Sequence, residues 1–533
     1  MRGADLLVQT LSRAGVTRIF SLSGNQIMPI YDACFDAGIE IIHTRHEAAA
    51  VFMAEAYAQL TGTVGVAMVT AGAGAANALG PLFTCSESET PVLLLTGDSP
   101  IGQDSRGAFQ ELDQVPMTAS VTKLSFRPKR ATDFGIDTVR ALRTALSGRS
   151  GPVHMALPFD LVEADASGGV VPAAPTREPM PLSASDARAI AQAVARSQCP
   201  LILCGPAMSE TRNPGQLAAL EGALGAPMIA MESPRGLKDP ALGNVAKALG
   251  QADLIVVLGK RIDFTLGFGG SNGVDPACKW MVIQADATER DRAHRNLGTR
   301  LIACFAADPR DSIDVLAGSG QGGHDAWRRE VANLVAARGF SAEDNVPSGK
   351  ITPAQLCAAV QRQIGKAERS IVICDGGEFG QWAQAATHAD HRVINGISGA
   401  IGGGLCYGLG AKCAMPDATV FALMGDGTVG FHFAEFETAA RVGKPYIVVI
   451  GNDERWNAEH QIQLRDYGPD RLIGCDLSGA RYDKAAKGLG AHGEFVTDLA
   501  DLDAALDRAV QSGKPACVNV QIEGLPAPSG TAH

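Results

Sequence analysis

Nine short apolar runs, each closing at or next to Gly, Asp or Pro, constrain the fold of this chain more than any other feature. They are "VGVAMVT" (64–70), "PVLLLTG" (91–97), "PVHMALP" (152–158), "LILCG" (201–205), "LIVVLG" (254–259), "MVIQAD" (281–286), "IVICDGG" (371–377), "TVFALMGDG" (419–427) and "YIVVIGND" (446–453). Ala-rich stretches of helical length lie between them, such as "EAAAVFMAEAYAQL" (47–60). A strand that is apolar on both faces must be covered on both faces, so such runs alternating with helices predict doubly wound α/β domains with parallel sheets. Two polar, Pro/Gly/Ser-rich gaps, 163–185 and 318–330, break the rhythm. At 533 residues the chain also exceeds what one core serves. Three α/β domains are expected, over 1–165, 186–318 and 350–533. No short-period repeat is visible.

Bulk chemistry removes several function classes. The net charge is −11 and no basic run occurs, which argues against nucleic acid as a partner. The start, "MRGADLLVQTLSRAGV", has no apolar signal core, and no segment reaches the apolar length of a membrane span, so a cytoplasmic protein is expected. Twelve cysteines without a C-x-x-C pair read as reduced, buried thiols.

Ligands of open α/β sheets bind beyond the carboxyl ends of the strands. Gly425-Asp426-Gly427 follows the run "TVFALM" and so falls at that edge. Alone it is as readily an ordinary turn. The next run, however, ends in Asn452-Asp453, and its tip should neighbour the first. Two oxygen donors then converge where Gly-Asp-Gly-Thr428 offers backbone amides and a hydroxyl. Hard oxygen donors beside a phosphate pocket suit Mg²⁺ or Ca²⁺ rather than zinc. "HEAAA" (46–50) lacks the second histidine of a zinc motif. "TAGAGAAN" (70–77) mimics a dinucleotide loop, but its last glycine is replaced by Asn77 and no acidic strand end follows.

Gly-Asp-Gly, 24 residues (428–451), then Asn-Asp resembles the thiamine-diphosphate signature, in which Asn-Asn follows at that distance. Other segments fall in the same family's order. They are "SLSGNQIMPIYDA" (21–33), "HEAAAVFMAEAYAQLTG" (46–62), "TAGAGAANALGPL" (70–82), "GAFQELDQ" (107–114), "GPVHMALP" (151–158), "DGGEFGQW" (375–382) and "SGAIGGGLCYGLGAK" (398–412). On these motifs the chain is identified as a member of the acetolactate synthase, benzaldehyde lyase and 2-hydroxyacyl-CoA lyase branch. The resemblance implies a pyrimidine-binding first domain, a central domain, and a third domain that binds diphosphate and Mg²⁺.

Carried onto this chain, the resemblance makes Asp426, the Asp453 side chain and the Arg455 carbonyl the metal ligands, with Gly425, Gly427 and Thr428 against the cofactor. Asp453 departs from the usual asparagine and adds negative charge beside a diphosphate, which a cation must offset. Glu378 and Phe379 also fall on the cofactor side; Phe379 stands where acetolactate synthases carry a phosphate-contacting histidine, shifting that task toward backbone amides. Glu47 is implied to hydrogen-bond a pyrimidine nitrogen and so activate the thiazolium; an acid buried against an aromatic ring should titrate high. Its plain alternative is a helix-start glutamate.

Ile401 aligns with the apolar wedge under the thiazolium, although core packing explains an isoleucine in a Gly-rich turn equally well. Gln110 aligns with a substrate-contacting side chain, Asn25 with a substrate-facing position after a glycine, and Glu459 with a proton-relay glutamate that could equally be a solvated helix residue. "GKRIDFTLGFG" (259–269) resembles the segment that binds FAD or an adenine nucleotide in relatives, but reproduces the flavin motif poorly, so neither is expected in the central domain.

Ala458 and Ile462 stand where acetolactate synthases have Met and a large Trp, which would open the acceptor side to bulkier substrates. The first expectation is a C–C bond ligase or lyase acting on 2-oxo acids, aldehydes or hydroxy ketones. The alternatives are an acetolactate-synthase-type transferase, a 2-oxo-acid decarboxylase, a 2-hydroxyacyl-CoA lyase, and a cofactor-binding paralogue without turnover. The family's architecture completes each cofactor site with the glutamate-bearing domain of another subunit, which implies a homodimer or homotetramer.

Overall fold

A computed structural model describes residues 1–270, 273–337, 340–342, 348–394 and 396–528. Its seventeen strands form three sheets, and every strand pairing in them is parallel, as the apolar runs require. The first sheet contains β1 (Arg18–Ser21), β2 (Glu40–His43), β3 (Gly65–Val69), β4 (Val92–Asp98), β5 (Leu124–Phe126) and β6 (Val153–Pro158), in the order β2-β1-β3-β4-β6-β5. The second contains β7 (Pro200–Cys204), β8 (Met228–Ala230), β9 (Leu254–Leu258), β10 (Lys279–Ile283) and β11 (Leu301–Phe305), in the order β11-β10-β9-β7-β8. The third contains β12 (Ser370–Asp375), β13 (His391–Ile394), β14 (Thr419–Gly425), β15 (Ile447–Asn452), β16 (His492–Val496) and β17 (Ala516–Gln521), in the order β13-β12-β14-β15-β17-β16.

All nine apolar runs form strands, and the interior ones are buried end to end, as in β4 and β6. The eight strands that no run announces comprise the six sheet edges, β2, β5, β8, β11, β13 and β16, together with β1 and β17. Edge strands are covered on one side only and need less apolar sequence. β1 has only four residues, opened by the partly exposed Arg18, and β17 carries the buried Asn519.

The segment 164–183 contains no helix or strand, in keeping with the first polar gap. The second gap, 318–330, is only partly a connector. A helix, Asp325–Ala336, starts inside it; Trp327 and Val331 enter the central core, and the Trp327 indole donates to the Pro200 carbonyl at 2.8 Å. The central core therefore takes in a helix beyond residue 318, because Trp327 and Val331, with Leu334 and Val335 against them, give an otherwise polar segment one apolar face.

One apolar cluster passes from the first sheet to the third through two crossed helices, Glu47–Thr61 and Gly404–Ala414. Gly410 lets the second helix approach the Met53 backbone, and the Tyr407 hydroxyl donates to the fully buried Glu55 at 2.9 Å. The central domain is held to the first by half-buried arginines: Arg212 donates to the Ser88 and Glu89 carbonyls (2.7 and 3.0 Å), and Arg310 to Ser150 Oγ (2.6 Å). All twelve cysteines are free thiols.

Candidate active site

In the third sheet the chain reverses direction between β12 and β14, and the crevice at such a switch point is where open α/β sheets take ligands. Gly425-Asp426-Gly427 sits at the tip of β14 and continues into a short helix, Asp426–Val429. The apolar strand stops there because Asp426 needs a polar surrounding, and the glycines admit close neighbours. A Cβ on Gly427 would lie 2.6 Å from the Trp456 ring. The adjacent strand β15 pairs Gly451 with Gly425, which brings Asn452-Asp453 to the same edge.

The two carboxyl groups meet there. Burial pushes both above the ordinary carboxylate range, and the neighbouring Asp453 charge pushes Asp426 further, while the Arg455 guanidinium partly offsets the rise at Asp453. Asp426 Oδ2 is buried without a hydrogen-bond partner. Such a pair is costly unless it shares a proton or a cation lies between its members. Among the described residues no group of three or more His, Cys, Asp or Glu side chains could hold a metal ion. The donor set is instead the two carboxylates, whose hard oxygens fit a hard cation with open positions for other oxygen ligands. Glu454, between Asp453 and Arg455, has φ +60°, a conformation uncommon for non-glycine residues and often found at ligand sites. Tyr482 braces the loop by donating to the Asp426 carbonyl at 2.9 Å.

Behind this pair lies a residue that motif reading passed over. Asp375, at the tip of β12, is fully buried, and its carboxylate accepts the N–H groups of Gly402 (3.0 Å) and Gly404 (2.7 Å). Those bonds pin the glycine-rich turn next to Ile401, which stays half-buried. Thr428 closes the β12 side, its side chain set against Gly376. The Phe379 side chain turns away from the crevice edge. Its ring is 5% exposed and packs against Gly451 in the apolar core, so only its backbone remains for a ligand. Glu378 is lifted by burial, with Arg235 nearby opposing the shift and Glu459 adding to it. Glu459 itself is exposed in the first turn of the Asn457–Tyr467 helix.

The first sheet has its own switch point, between β1 and β3. Glu47 opens the Glu47–Thr61 helix just beyond β2, with His46 as its cap: the His46 Nδ1 accepts from the Ala48 amide at 3.1 Å. Asn77 Nδ2 donates to Glu47 Oε2 at 3.0 Å, and the other carboxyl oxygen lies beside Gly74. The "TAGAGAAN" segment therefore orients an acid, a role its glycine pattern alone does not show. Thr70 Oγ1 donates to Gln26 Oε1 at 2.5 Å and lies 3.5 Å from Gln110 Oε1, while Gln110 takes φ +59° against Gly72. Asn25 is exposed one residue before Gln26. The structure thus gathers Glu47, Asn77 and Gly74 in one group and Gln26, Thr70 and Gln110 in another, both at the carboxyl edge of the first sheet. Among the described residues no hydrogen bond or ion pair joins the Glu47 carboxylate to the third domain.

At the carboxyl edge of the central sheet, "GKRIDFTLGFG" is used internally. Arg261 bonds Glu87 at 2.5 Å and Glu289 at 3.2 Å, and Lys260 is buried beside Asp263 at 3.6 Å.

Comparison with known proteins meets this geometry at both ends of the chain. The family described as thiamine pyrophosphate enzyme, N-terminal TPP binding domain, matches residues 1–117, and that described as the C-terminal TPP binding domain matches 375–520. A probable acetolactate synthase of Mycobacterium bovis is 32% identical over 98% of this chain and 95% of its own length. The acetolactate synthase large subunit of Mycobacterium tuberculosis shows the same values. The 2-hydroxyacyl-CoA lyase 2 of Bos taurus is 29% identical over 98% of this chain and 90% of its own length. The matched N-terminal segment carries Glu47, the matched C-terminal segment carries the Asp426–Asp453 pair, and the similarity runs through the domain between them: the chain belongs to the thiamine-pyrophosphate-dependent enzymes.

Proposed function

We propose that this enzyme makes or cleaves the C–C bond of 2-hydroxy ketones or related acyloins, drawing its donor from a 2-oxo acid or a hydroxy ketone. The observation that carries the reading is the buried Asp426–Asp453 pair at the third sheet's switch point, which calls for a cation, together with an acid held by a side chain at the equivalent edge of the first sheet. Asp426, Asp453 and the Arg455 carbonyl would hold Mg²⁺, with diphosphate oxygens against Gly425, Gly427 and Thr428. Thiamine diphosphate, once bound, supplies a carbanion that adds to carbonyl carbons.

The chain's own residues orient and protonate. Asn77 fixes one carboxyl oxygen of Glu47, which leaves the other to meet the cofactor's pyrimidine ring. Ile401 supports the ring system from the pinned turn. Gln110 and Asn25 contact substrate from the first-domain side. Glu459, exposed in the first turn of the Asn457–Tyr467 helix, delivers a proton to the departing product. Among the described residues no hydrogen bond or ion pair joins the Glu47 carboxylate itself to the third domain, and we read the site as completed by the third domain of a second copy, in a homodimer or larger assembly. No helix among the described residues is long and apolar enough to cross a membrane.

Ala458 lies against Gly377, where a Cβ would come within 3.0 Å of it, and Ile462 is 45% exposed. Small and open residues here favour a donor or acceptor bulkier than pyruvate. Proton NMR of the protein with thiamine diphosphate, Mg²⁺ and pyruvate, glyoxylate or benzoylformate, each with and without an aldehyde, tests the reading. Hydroxy ketone formed only with the aldehyde supports it; free aldehyde alone would make the enzyme a decarboxylase. The similarity to 2-hydroxyacyl-CoA lyases favours one second reading, cleavage of 2-hydroxyacyl-CoA, which the same assay tests by adding such thioesters.

A further inference from the structure

Glu435 is 1% exposed and lies nine positions after Asp426, on the segment that runs on from the metal loop. Its carboxylate does not serve its own domain alone. Oε1 accepts the Arg45 main-chain N–H at 2.9 Å, the His46 N–H also donates to the carboxylate, and Oε2 accepts Thr438 Oγ1 at 2.6 Å. Arg45 and His46 are the two residues immediately before Glu47.

Contacts on both sides reinforce the junction. Arg45 pairs with Glu437 at 3.6 Å, and Arg441 donates to the His43 carbonyl at 2.5 Å. The His432 ring lies 5.6 Å from the His46 ring and 5.6 Å from Phe52 on the Glu47 helix.

We propose that Glu435 is a positioning residue for Glu47, a buried clasp that ties the start of the acid's helix to the segment descending from Asp426 of the same chain. The chemistry suits the task. Amide groups before a helix have no intrahelical acceptor, and a carboxylate there makes charge-assisted bonds and meets the positive end of the helix dipole. Glu47 is the first residue of its helix, so a shift of the cap moves its carboxyl directly. This inference rests on the proposed role of Glu47. If sites form between subunits, the clasp joins the acid of one site to the metal loop of the other, so that loading one site is felt by the acid of its neighbour.

The test uses Glu435→Ala, Glu435→Gln and the milder Thr438→Val. Hydrogen–deuterium exchange of the 43–52 backbone, in protein without cofactor, reads the clasp itself. Exchange should quicken in Glu435→Ala and less so in Glu435→Gln, which keeps one acceptor oxygen. The rate at which bound thiamine diphosphate exchanges its thiazolium proton for deuterium reads the positioning. It should fall about 10- to 100-fold in Glu435→Ala, with partial recovery in Glu435→Gln and little change in substrate KM. Unchanged amide exchange removes the clasp. Faster amide exchange with normal thiazolium exchange overturns the positioning role. Glu47→Gln serves as the reference: if it too leaves thiazolium exchange intact, the proposal fails through its premise rather than through Glu435.

Discussion

The first and third domains share one strand order. Counted within each domain, both sheets read 2-1-3-4-6-5, and both reverse direction between their first and third strands. Yet the two edges differ in chemistry. At the third, two carboxylates face each other in a buried crevice and are held above their ordinary range. At the first, a single carboxylate is oriented by an amide side chain, among neutral glutamine, threonine and glycine neighbours. One scaffold has produced two unlike half-sites, one suited to a cation and one to proton transfer, and the difference lies in a few loop residues rather than in the sheets. The central sheet keeps the same core order, 2-1-3-4-5, but its edge is occupied by ion pairs such as Arg261 with Glu87 and Glu289. Shared topology therefore marks where a site can be built and leaves open whether one is.

The sharpest way to break the comparison is at Glu47. If the first-domain edge is the proton-transferring half, Glu47→Gln should cut kcat by about 10²- to 10⁴-fold. Thermal unfolding should barely move, since the residue is only half-buried. Near-normal turnover would leave the first domain without its chemical role.

Asp453→Asn tests the cation half. In the protein without divalent ion, both carboxyls hold their protons above the range they have in the unfolded chain. The native state then binds more protons at neutral pH, so stability should fall as pH rises above the ordinary carboxylate range. The substitution should flatten that slope in urea titrations at successive pH values, and weaken Mg²⁺ binding by about tenfold or more as one charge is lost. Mg²⁺ binding to the unaltered protein should release protons, which calorimetry in buffers of different ionisation enthalpy measures. Absence of magnesium-linked proton release would mean that the pair is not a cation site.

A smaller effect is expected at Gly427. A methyl group there would press on the Trp456 ring, at 2.6 Å from its nearest atom, and Gly427→Ala should cost about 1–3 kcal/mol of stability. Adding Trp456→Leu should recover part of the loss in a denaturant titration. Smallest is Asn77→Ala. It removes the bond to Glu47 Oε2 and should lower kcat by about fivefold, close to 1 kcal/mol, with KM unchanged. A loss as large as that of Glu47→Gln would give Asn77 a direct part in the chemistry.

Legibility in the sequence followed burial. Most strands that are covered on both faces and long enough declared themselves as apolar runs, including the two that carry Asp426 and Asp453. The six edge strands did not, because a strand exposed on one side needs no such run. β17 stayed hidden for another reason. Its Asn519 is buried but bonded to Asn452 at 3.1 Å and to the Ala480 carbonyl, so polarity there reports a hydrogen-bond network rather than exposure. Candidate residues that belong to spaced motifs, Glu47, Asp426 and Asp453, could be singled out in advance. Asp375, Asn77, Gln26 and Glu435 could not, since their meaning lies in which backbone or side-chain group each meets.

Taken by itself, the amino-acid sequence determined the class of fold and brought Glu47, Asp426 and Asp453 forward as candidates. These depend on local rules: the apolar length of a strand, the glycine at its tip, and the number of residues between two tips. Tertiary structure alone decided that the first and third domains are topological copies, that Phe379 belongs to the core, and that a buried glutamate from the third domain grips the start of the helix carrying Glu47. Such facts join residues hundreds of positions apart, and a contact of that kind arises only when sheets close and faces pack, which no local spacing encodes.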